Sequence, residues 1–453
     1  MIIPATPPAR HRVLIVAFAC HPDVNMETRI GWNRGVAAAR DYDTTVVHSD
    51  EFSSEELARK AASLGIPAKN LKFVAVKSWM AWLPIPCDAI YWAGYRAWHD
   101  AALKVAAAIH QSEPFDLVHL VSYCGYREPG QWWKLDIPFI WGPVGGTQNF
   151  PTNFLNKISP GSSIREAIRN YMNDWQLYRS RRVRSAAQGA HTVFAASSQA
   201  QRDMLRGTAV HCTRLLETAV SPIRPAPCRE LDPTSPFRIL WSGRLREWKA
   251  LPILLEALTR LPPELKFELR VMGVGSSENR WRKLADRLKI AEHVQWIGWP
   301  SYTEGLKQYG WADAFAFTSL RDTSGTGLLE SLAAGTPIIG VDHQGARDIM
   351  SPHCGIPVSV DSPAMAVEGF KQAISRLAND PALWRRLSEG AVNRSHHFSW
   401  ERLSEEIDSA YQAALGVGQK NTDYWPEDGR ETVAIKRPTL APLLVPTLRQ
   451  SLK

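Results

Sequence analysis

The sequence predicts an α/β protein: two Rossmann-like, doubly wound parallel sheets facing a central cleft. Three observations predict it. Short apolar runs rich in β-branched and aromatic residues alternate with longer amphipathic stretches in both halves of the chain. Apolar runs in the second half end in glycine-bearing turns, where a parallel sheet carries its ligand loops. The 453 residues also exceed what one core organises well, so two units of about 200 residues each fit better.

In the first half, strands are expected over 11–18, 44–48, 71–76, 116–121, 138–141 and 192–195, with a helix over 30–39. In the second half the order is a strand over 237–241, a helix over 251–261, a strand from Phe267 into the turn Gly273-Val-Gly275, and a helix over 281–288. A strand over 293–298, a helix over 302–309 and a strand over 314–318 follow. The series ends with an acidic loop, a helix over 328–334 and a strand over 337–341. Gly273-x-Gly275 lacks the third glycine of a dinucleotide fingerprint, since position 278 is Glu.

The most informative local feature is a carboxylate pair eight positions apart, Asp322 and Glu330, around Thr323-Ser324-Gly325-Thr326-Gly327-Leu328. Residues 323–327 should be loop and the Leu- and Ala-rich run after them helix. Asp322 then falls at the tip of the preceding strand and Glu330 in the first helical turn. Carboxylates accept bonds from hydroxyls, and the free N–H groups of a helix start receive phosphate. Together they suit a sugar nucleotide. A capping carboxylate ahead of an ordinary surface helix would give the same residues.

A second turn carries the opposite charge. After the run Phe237-Arg-Ile-Leu-Trp241 come Ser-Gly243-Arg244-Leu245 and Lys249, where two cations flank a strand-to-helix turn. They could clamp a pyrophosphate and offset the charge of a departing nucleotide, or form a solvated basic turn.

Together these segments resemble the group 1 glycosyltransferases (glycosyltransferase family 4) of the GT-B fold, in particular those of bacterial polysaccharide biosynthesis. The family's Gly-Arg-Leu…Lys-Gly turn reads here Gly243-Arg244-Leu245 with Lys249, Ala250 replacing the second glycine. Its Glu-x7-Glu element reads Asp322-x7-Glu330. The resemblance implies a retaining enzyme in which Arg244 and Lys249 stabilise the leaving diphosphate, Asp322 faces the transferred sugar and Glu330 holds the ribose. Gly243, Gly273, Gly298, Ser324, Gly325, Thr326, Gly327 and Leu328 would line the donor. It further implies a domain over 1–220, a linker over 221–235, a donor-binding domain over 236–399 and a helix over 400–416 that returns to the first domain. Residues 417–453, with prolines at 426, 438, 442 and 446 and no periodicity, are expected to be extended or disordered.

Three segments of the first half look like the same subgroup: Ala19-Cys-His-Pro22 leading to Glu27-Thr-Arg29-Ile-Gly31-Trp32, the turn Trp141-Gly-Pro-Val-Gly145-Gly146, and Leu216-Glu217-Thr-Ala-Val220. The histidine common in the family's catalytic cleft is missing where Trp141-Gly142 stands. His119, on a neighbouring strand, is the substitute candidate or a structural residue. Glu27, Arg29, Gly31, His119, Gly145 and Gly146 are therefore the acceptor-side candidates.

Composition limits the setting. With 45% apolar and 22% charged residues the chain is globular, and no uncharged apolar run of 18 residues is present. Residues 1–12 lack the blocks of a signal peptide. Cysteines at 20, 87, 124, 212, 228 and 354 show no paired short spacing, which argues against a zinc site or disulfide framework and for a reducing cytoplasm. No metal or other cofactor is expected, the nucleotide sugar being a co-substrate. The net charge of +8 comes without a nucleic-acid-binding module. Instead Arg165, Arg169, Arg179, Arg181, Arg182 and Arg184 accompany Ile164, Ile168, Met172, Trp175 and Tyr178. That pattern fits either a helix resting on an anionic membrane at the inner face of the cell or a solvated helix with a core-facing stripe.

The expected function is hexose transfer from a nucleotide-diphosphate sugar to a saccharide or lipid-linked acceptor. The alternatives are a non-catalytic GT-B scaffold binding a glycan or partner enzyme, and a GT-B sugar-nucleotide epimerase, for which Glu27 and Glu217 would supply further carboxylates.

Overall fold

The computed structural model describes residues 10–78, 88–221, 231–232 and 235–418. The first sheet contains β1 (Arg12–Ala17), β2 (Asp43–Ser49), β3 (Leu71–Val76), β4 (Leu117–Ser122), β5 (Phe139–Val144), β6 (Thr192–Ala195) and β7 (Thr213–Arg214), in the order β3-β2-β1-β4-β5-β6-β7. Its helices are α1 (Met26–Ala38), α2 (Ser54–Ser63), α3 (Asp88–Ser112), α4 (Pro160–Arg179), α5 (Arg181–Gly189) and α6 (Ser198–Thr208). All strand pairs run parallel. Successive residues of β1 feed opposite faces: Val13, Ile15 and Ala17 enter one apolar cluster, Leu14 and Val16 the other. This is why the run is continuously apolar.

The second sheet contains β8 (Phe237–Ser242), β9 (Phe267–Met272), β10 (Val294–Gly298), β11 (Ala314–Phe317), β12 (Ile338–Val341) and β13 (Gly355–Val358), in the order β10-β9-β8-β11-β12-β13, again parallel. Around it lie α7 (Leu251–Leu258), α8 (Glu278–Arg287), α9 (Tyr302–Trp311), α10 (Thr326–Ala333), α11 (Gln344–Ile349), α12 (Pro363–Asn379) and α13 (Pro381–Ser395). Two parallel sheets with flanking helices are the GT-B architecture.

The final helix, α14 (Trp400–Ala414), packs Leu403, Ile407, Ala410 and Tyr411 into the core of the first domain. The outgoing and returning chains touch: Val220 N–H donates to the Phe398 carbonyl (3.0 Å), and Val220 bridges Ser399 in parallel. Packing does not follow a boundary at 220, because Phe150, Phe154 and Ile158 join the second domain's core. Asn153 Nδ2 donates to the carbonyls of Val360 (3.1 Å) and Asp361 (2.7 Å).

Several element ends differ from expectation for local reasons. Helix α1 begins at Met26 because Asn25 caps it: Asn25 Oδ1 accepts from Thr28 N–H (3.0 Å), and Thr28 Oγ1 accepts from Asn25 N–H (3.2 Å). Helix α10 begins at Thr326, because Gly325 at φ +71° turns the chain ahead of it. Glu330 is thus in the second turn, and residues 318–321 separate Asp322 from the end of β11. The basic segment is two helices, α4 and α5, broken at Ser180, whose hydroxyl caps α5 through Val183 N–H (3.4 Å). Most of the expected linker, nearly all of the tail, and Cys87 and Cys228 lie outside the described residues. Among those described, no helix is long and apolar enough to cross a membrane.

Candidate functional site

The site is built from the carboxyl edge of the second sheet. Gly243 N–H donates to the Met272 carbonyl (3.0 Å) and Gly273 N–H to the Gly298 carbonyl (2.7 Å), so the turns after β8, β9 and β10 form one backbone ledge. A Cβ on Gly273 would collide with the Gly243 carbonyl, which reserves that position for glycine. Lys249 ends a short 3-10 turn beside this ledge, and its ammonium pairs with the Asp322 carboxylate. The lysine backbone is fixed from below. Thr318 Oγ1 donates to the Lys249 carbonyl (2.6 Å) and accepts from Trp241 Nε1 (2.9 Å). Arg244 is exposed at the same edge.

The loop carrying Asp322 is held between α11 and the first domain. Asp322 N–H donates to Gln344 Oε1 (2.9 Å), and Gln344 Nε2 donates across the cleft to the Asn149 carbonyl (2.8 Å). The Ser324 hydroxyl, buried, donates to Glu217 Oε1 (2.7 Å) at the end of the first domain. Thr323 abuts Gly145, where a Cβ would stand 2.5 Å from the threonine methyl. Gly146 lies next to Gly125 and Arg127.

Glu330 is partly buried beside the hydroxyl of Tyr309, a residue that is itself 0% exposed. Burial pushes its carboxyl up to about 7, while the Tyr309 hydroxyl and the Arg29 charge pull it back. Arg29, expected on the acceptor side, reaches over the cleft: its guanidinium lies 4.3 Å from the centre of the Tyr302 ring, and its Nε donates to the Pro22 carbonyl (2.7 Å). It therefore touches both sides of the cleft.

Two other carboxylates bear on Glu217. Burial, then the charges of Asp322 and Glu27, raise the Glu217 pKa against the hydrogen bonds from Ser324 and Cys124. Burial and then Glu217 raise the Cys124 thiol. Glu27 is exposed in the first turn of α1. Among the described residues no three His, Cys, Asp or Glu side chains are grouped as a metal ion would need.

Two acceptor-side expectations are corrected. His119 is 0% exposed and does not face the cleft. Its Nε2 lies 2.8 Å from the Gly142 carbonyl, which can only accept, so Nε2 carries the proton and Nδ1 accepts from the Tyr411 hydroxyl (2.6 Å). Burial lowers its pKa to about 3, so it is a neutral strut between β4, β5 and α14. Gly31 is a packing residue: a Cβ there would sit 2.5 Å from the Ala19 carbonyl oxygen, so glycine lets α1 approach the end of β1. Glu217, Gln344 and Tyr309 were not among the residues expected around Asp322 and Glu330. Glu217's place just before the linker was the one available hint, and the other two had none.

This geometry can be set beside known proteins. Residues 229–394 match the family model described as glycosyl transferases group 1. The matched segment is a group 1 glycosyltransferase domain. It contains the glycine ledge, Lys249, Asp322 and Glu330. The lipopolysaccharide core biosynthesis glycosyltransferase LpsE of Rhizobium meliloti (strain 1021) is 30% identical over 179 residues, 39% of this chain and 49% of that protein. Matches to the curated relatives span about half of their length or less. The lipopolysaccharide outer core galactosyltransferase WaaB superposes with a TM-score of 0.61 at 16% identity, covering 89% of this chain and 99% of that one. Anabaena HepE in complex with UDP and glucose gives 0.57 at 14% identity, covering 89% and 100%. At these identities the structures establish the shared GT-B fold of the group 1 domain and its partner domain.

Proposed function

We propose that this protein is a retaining glycosyltransferase that moves a hexose from a nucleotide-diphosphate sugar to a hydroxyl of a saccharide or lipid-linked acceptor. The observation that carries the reading is the convergence of Lys249, Asp322 and the start of α10 on one side of a cleft whose other side supplies Glu217 and Arg29. UDP and UDP-glucose in structures of HepE, and the galactosyltransferase name of WaaB, support a UDP-hexose as donor.

In the proposed reaction Arg244, Lys249 and the N–H groups opening α10 take the growing charge of the diphosphate as the C1–O bond to it breaks. The acceptor oxygen bonds to C1 on the face just vacated, and its proton passes to the departing phosphate oxygen. Before that, on donor binding, Asp322 trades its lysine for sugar hydroxyls, and Glu330 accepts from the ribose. The reading includes a cytoplasmic location, consistent with free thiols at Cys20, Cys124, Cys212 and Cys354.

A thermal-shift panel of UDP, GDP, ADP and their sugar conjugates on wild type and Glu330→Ala tests the donor site. One nucleotide family should stabilise wild type and fail on the variant. No shift with any nucleotide, in a protein that melts cooperatively, would favour the non-catalytic scaffold.

The cluster of Glu27, Glu217 and Asp322 gives the sugar-nucleotide epimerase reading one specific support. Product analysis separates the two: release of free sugar and nucleotide without acceptor favours the epimerase, an acceptor-dependent glycoside the transferase.

A further inference from the structure

Helix α4 is inside out. Its buried face is mostly polar, with Ser162, Glu166 and Asn173 beside Leu177. Asn173 Nδ2 donates to the Thr147 carbonyl (2.5 Å), and its Oδ1 accepts from the Tyr126 hydroxyl (2.8 Å) and Arg127 Nη2 (2.7 Å). Glu166 receives Arg321 (3.1 Å) from the second domain. The apolar residues point the other way. Ile164 is 63% exposed, Ile168 59%, Tyr171 70%, Met172 40%, Trp175 53% and Tyr178 45%. At about 100° per residue these six fall within roughly 120° of the helix circumference. They are six of the thirteen large hydrophobic side chains exposed among the described residues.

The charge around this face is mostly positive. Arg165, Arg179, Arg181 and Arg184 are exposed along it, and two are steadied locally: Arg165 Nη2 donates to Ser162 Oγ (3.3 Å) and Arg184 Nη2 to the Tyr178 carbonyl (3.0 Å). The other two arginines of the segment are used inside. Arg169 Nη1 donates to the Gln148 carbonyl (2.8 Å), and Arg182 pairs with Glu128 (3.2 Å). Asp174 is the only exposed acid on α4 and α5, and its Oδ1 accepts from Asn149 Nδ2 (2.8 Å).

We propose that the outward face of α4 seats the protein on an anionic lipid surface, the aliphatic and aromatic side chains entering the headgroup region and the flanking arginines meeting phosphate. Tyr and Trp suit that depth because each has an apolar body and a polar tip. A second copy of the chain fits worse: a two-fold contact through this face would set its arginines against each other. The same helix holds Arg321, the neighbour of Asp322, through Glu166. The seat is therefore mechanically continuous with the donor loop, and an acceptor anchored in that surface would meet the cleft. That last use rests on the proposed transferase reading; the lipid contact does not.

The test is co-sedimentation of the full chain with phosphatidylcholine vesicles with and without phosphatidylglycerol. The wild type should partition at least about tenfold better onto the anionic vesicles. Ile168→Ser with Trp175→Ser should lower that by at least about tenfold while elution volume and melting temperature stay as in wild type. Arg179→Glu, Arg181→Glu and Arg184→Glu together should remove the preference for anionic lipid. Wild type remaining in the supernatant with both vesicles, or the double variant sedimenting like wild type, would overturn the proposal. So would a wild-type dimer that the double variant converts to monomer. Vesicle binding without any nucleotide-induced thermal shift would count against the transferase reading and leave the lipid surface standing.

Discussion

Glu217, which follows β7 just before the chain leaves the first domain, accepts a 2.7 Å hydrogen bond from the hydroxyl of Ser324, two residues past Asp322 in the donor loop. The two halves of the cleft are tied at the point where the donor sugar is proposed to sit. Glu217→Ala should enlarge the ligand-free radius of gyration measured by small-angle scattering, whereas Glu217→Gln, which keeps an accepting oxygen, should not. Superimposable profiles for all three proteins would show that this contact does not hold the cleft shut.

Lys249 and Asp322 neutralise each other without ligand, so removing one should release the other. Lys249→Ala should lower turnover at least about tenfold, corresponding to ~1.4 kcal/mol of transition-state stabilisation. Asp322→Asn should lose transfer to a similar or greater degree yet bind nucleoside diphosphate at least as tightly as wild type, because the lysine no longer has to leave a carboxylate. Calorimetric titration of diphosphate into both variants checks the split. Equal weakening of binding in the two would remove the opposed roles.

The Glu330 carboxyl gives donor binding a pH dependence of definite sign. With its pKa pushed up to about 7, it is protonated below that value and ionised above it. Only the carboxylate accepts from two ribose hydroxyls, so nucleotide-induced stabilisation should grow between pH 6 and 8 and flatten in Glu330→Gln. The unliganded fold runs oppositely. Its pKa lies above the ordinary 4.5, so the stability contribution is fully present below that value and is lost as pH rises to about 7. Melting scans with and without nucleotide over a window of about pH 4 to 8, which covers both effects, read both signs.

His119 should matter for stability and not for turnover. Replacing it with Phe leaves the Gly142 carbonyl and the Tyr411 hydroxyl unpaired in a dry core, which should cost about 2–4 kcal/mol of stability. Turnover per folded molecule should stay near wild type. A large loss of turnover in a protein of unchanged stability would return His119 to the cleft.

What the sequence made legible was local. Continuous apolar runs marked the strands because both faces of each sheet are covered. The interval from Asp322 to Glu330 placed two carboxylates on adjoining elements because a loop and one helical turn consume those residues. Helix α1 starts earlier than its apolar periodicity places it, because Asn25 ahead of it and Thr28 in its first turn form a capping box. Long-range pairs were not legible: Glu217 and Ser324 are 107 positions apart, His119 and Tyr411 292, and nothing in either neighbourhood names its partner. The direction of α4 was hidden for a related reason. Periodicity found its stripe, but only the tertiary bonds of Asn173 and Glu166 make the polar side the inner one.

The contact between Val220 and the returning chain at Phe398 and Ser399 bears on how the cleft can move. A single covalent thread between two bodies allows them to swivel as well as tilt. Two threads laid side by side and stitched by a hydrogen bond behave as a strap, stiff against twist and compliant in one bending direction. Relative travel of the domains should then follow one arc, carrying Arg29 away from Tyr302 and Glu217 away from Ser324 in the same stroke, so that both ties across the cleft part together.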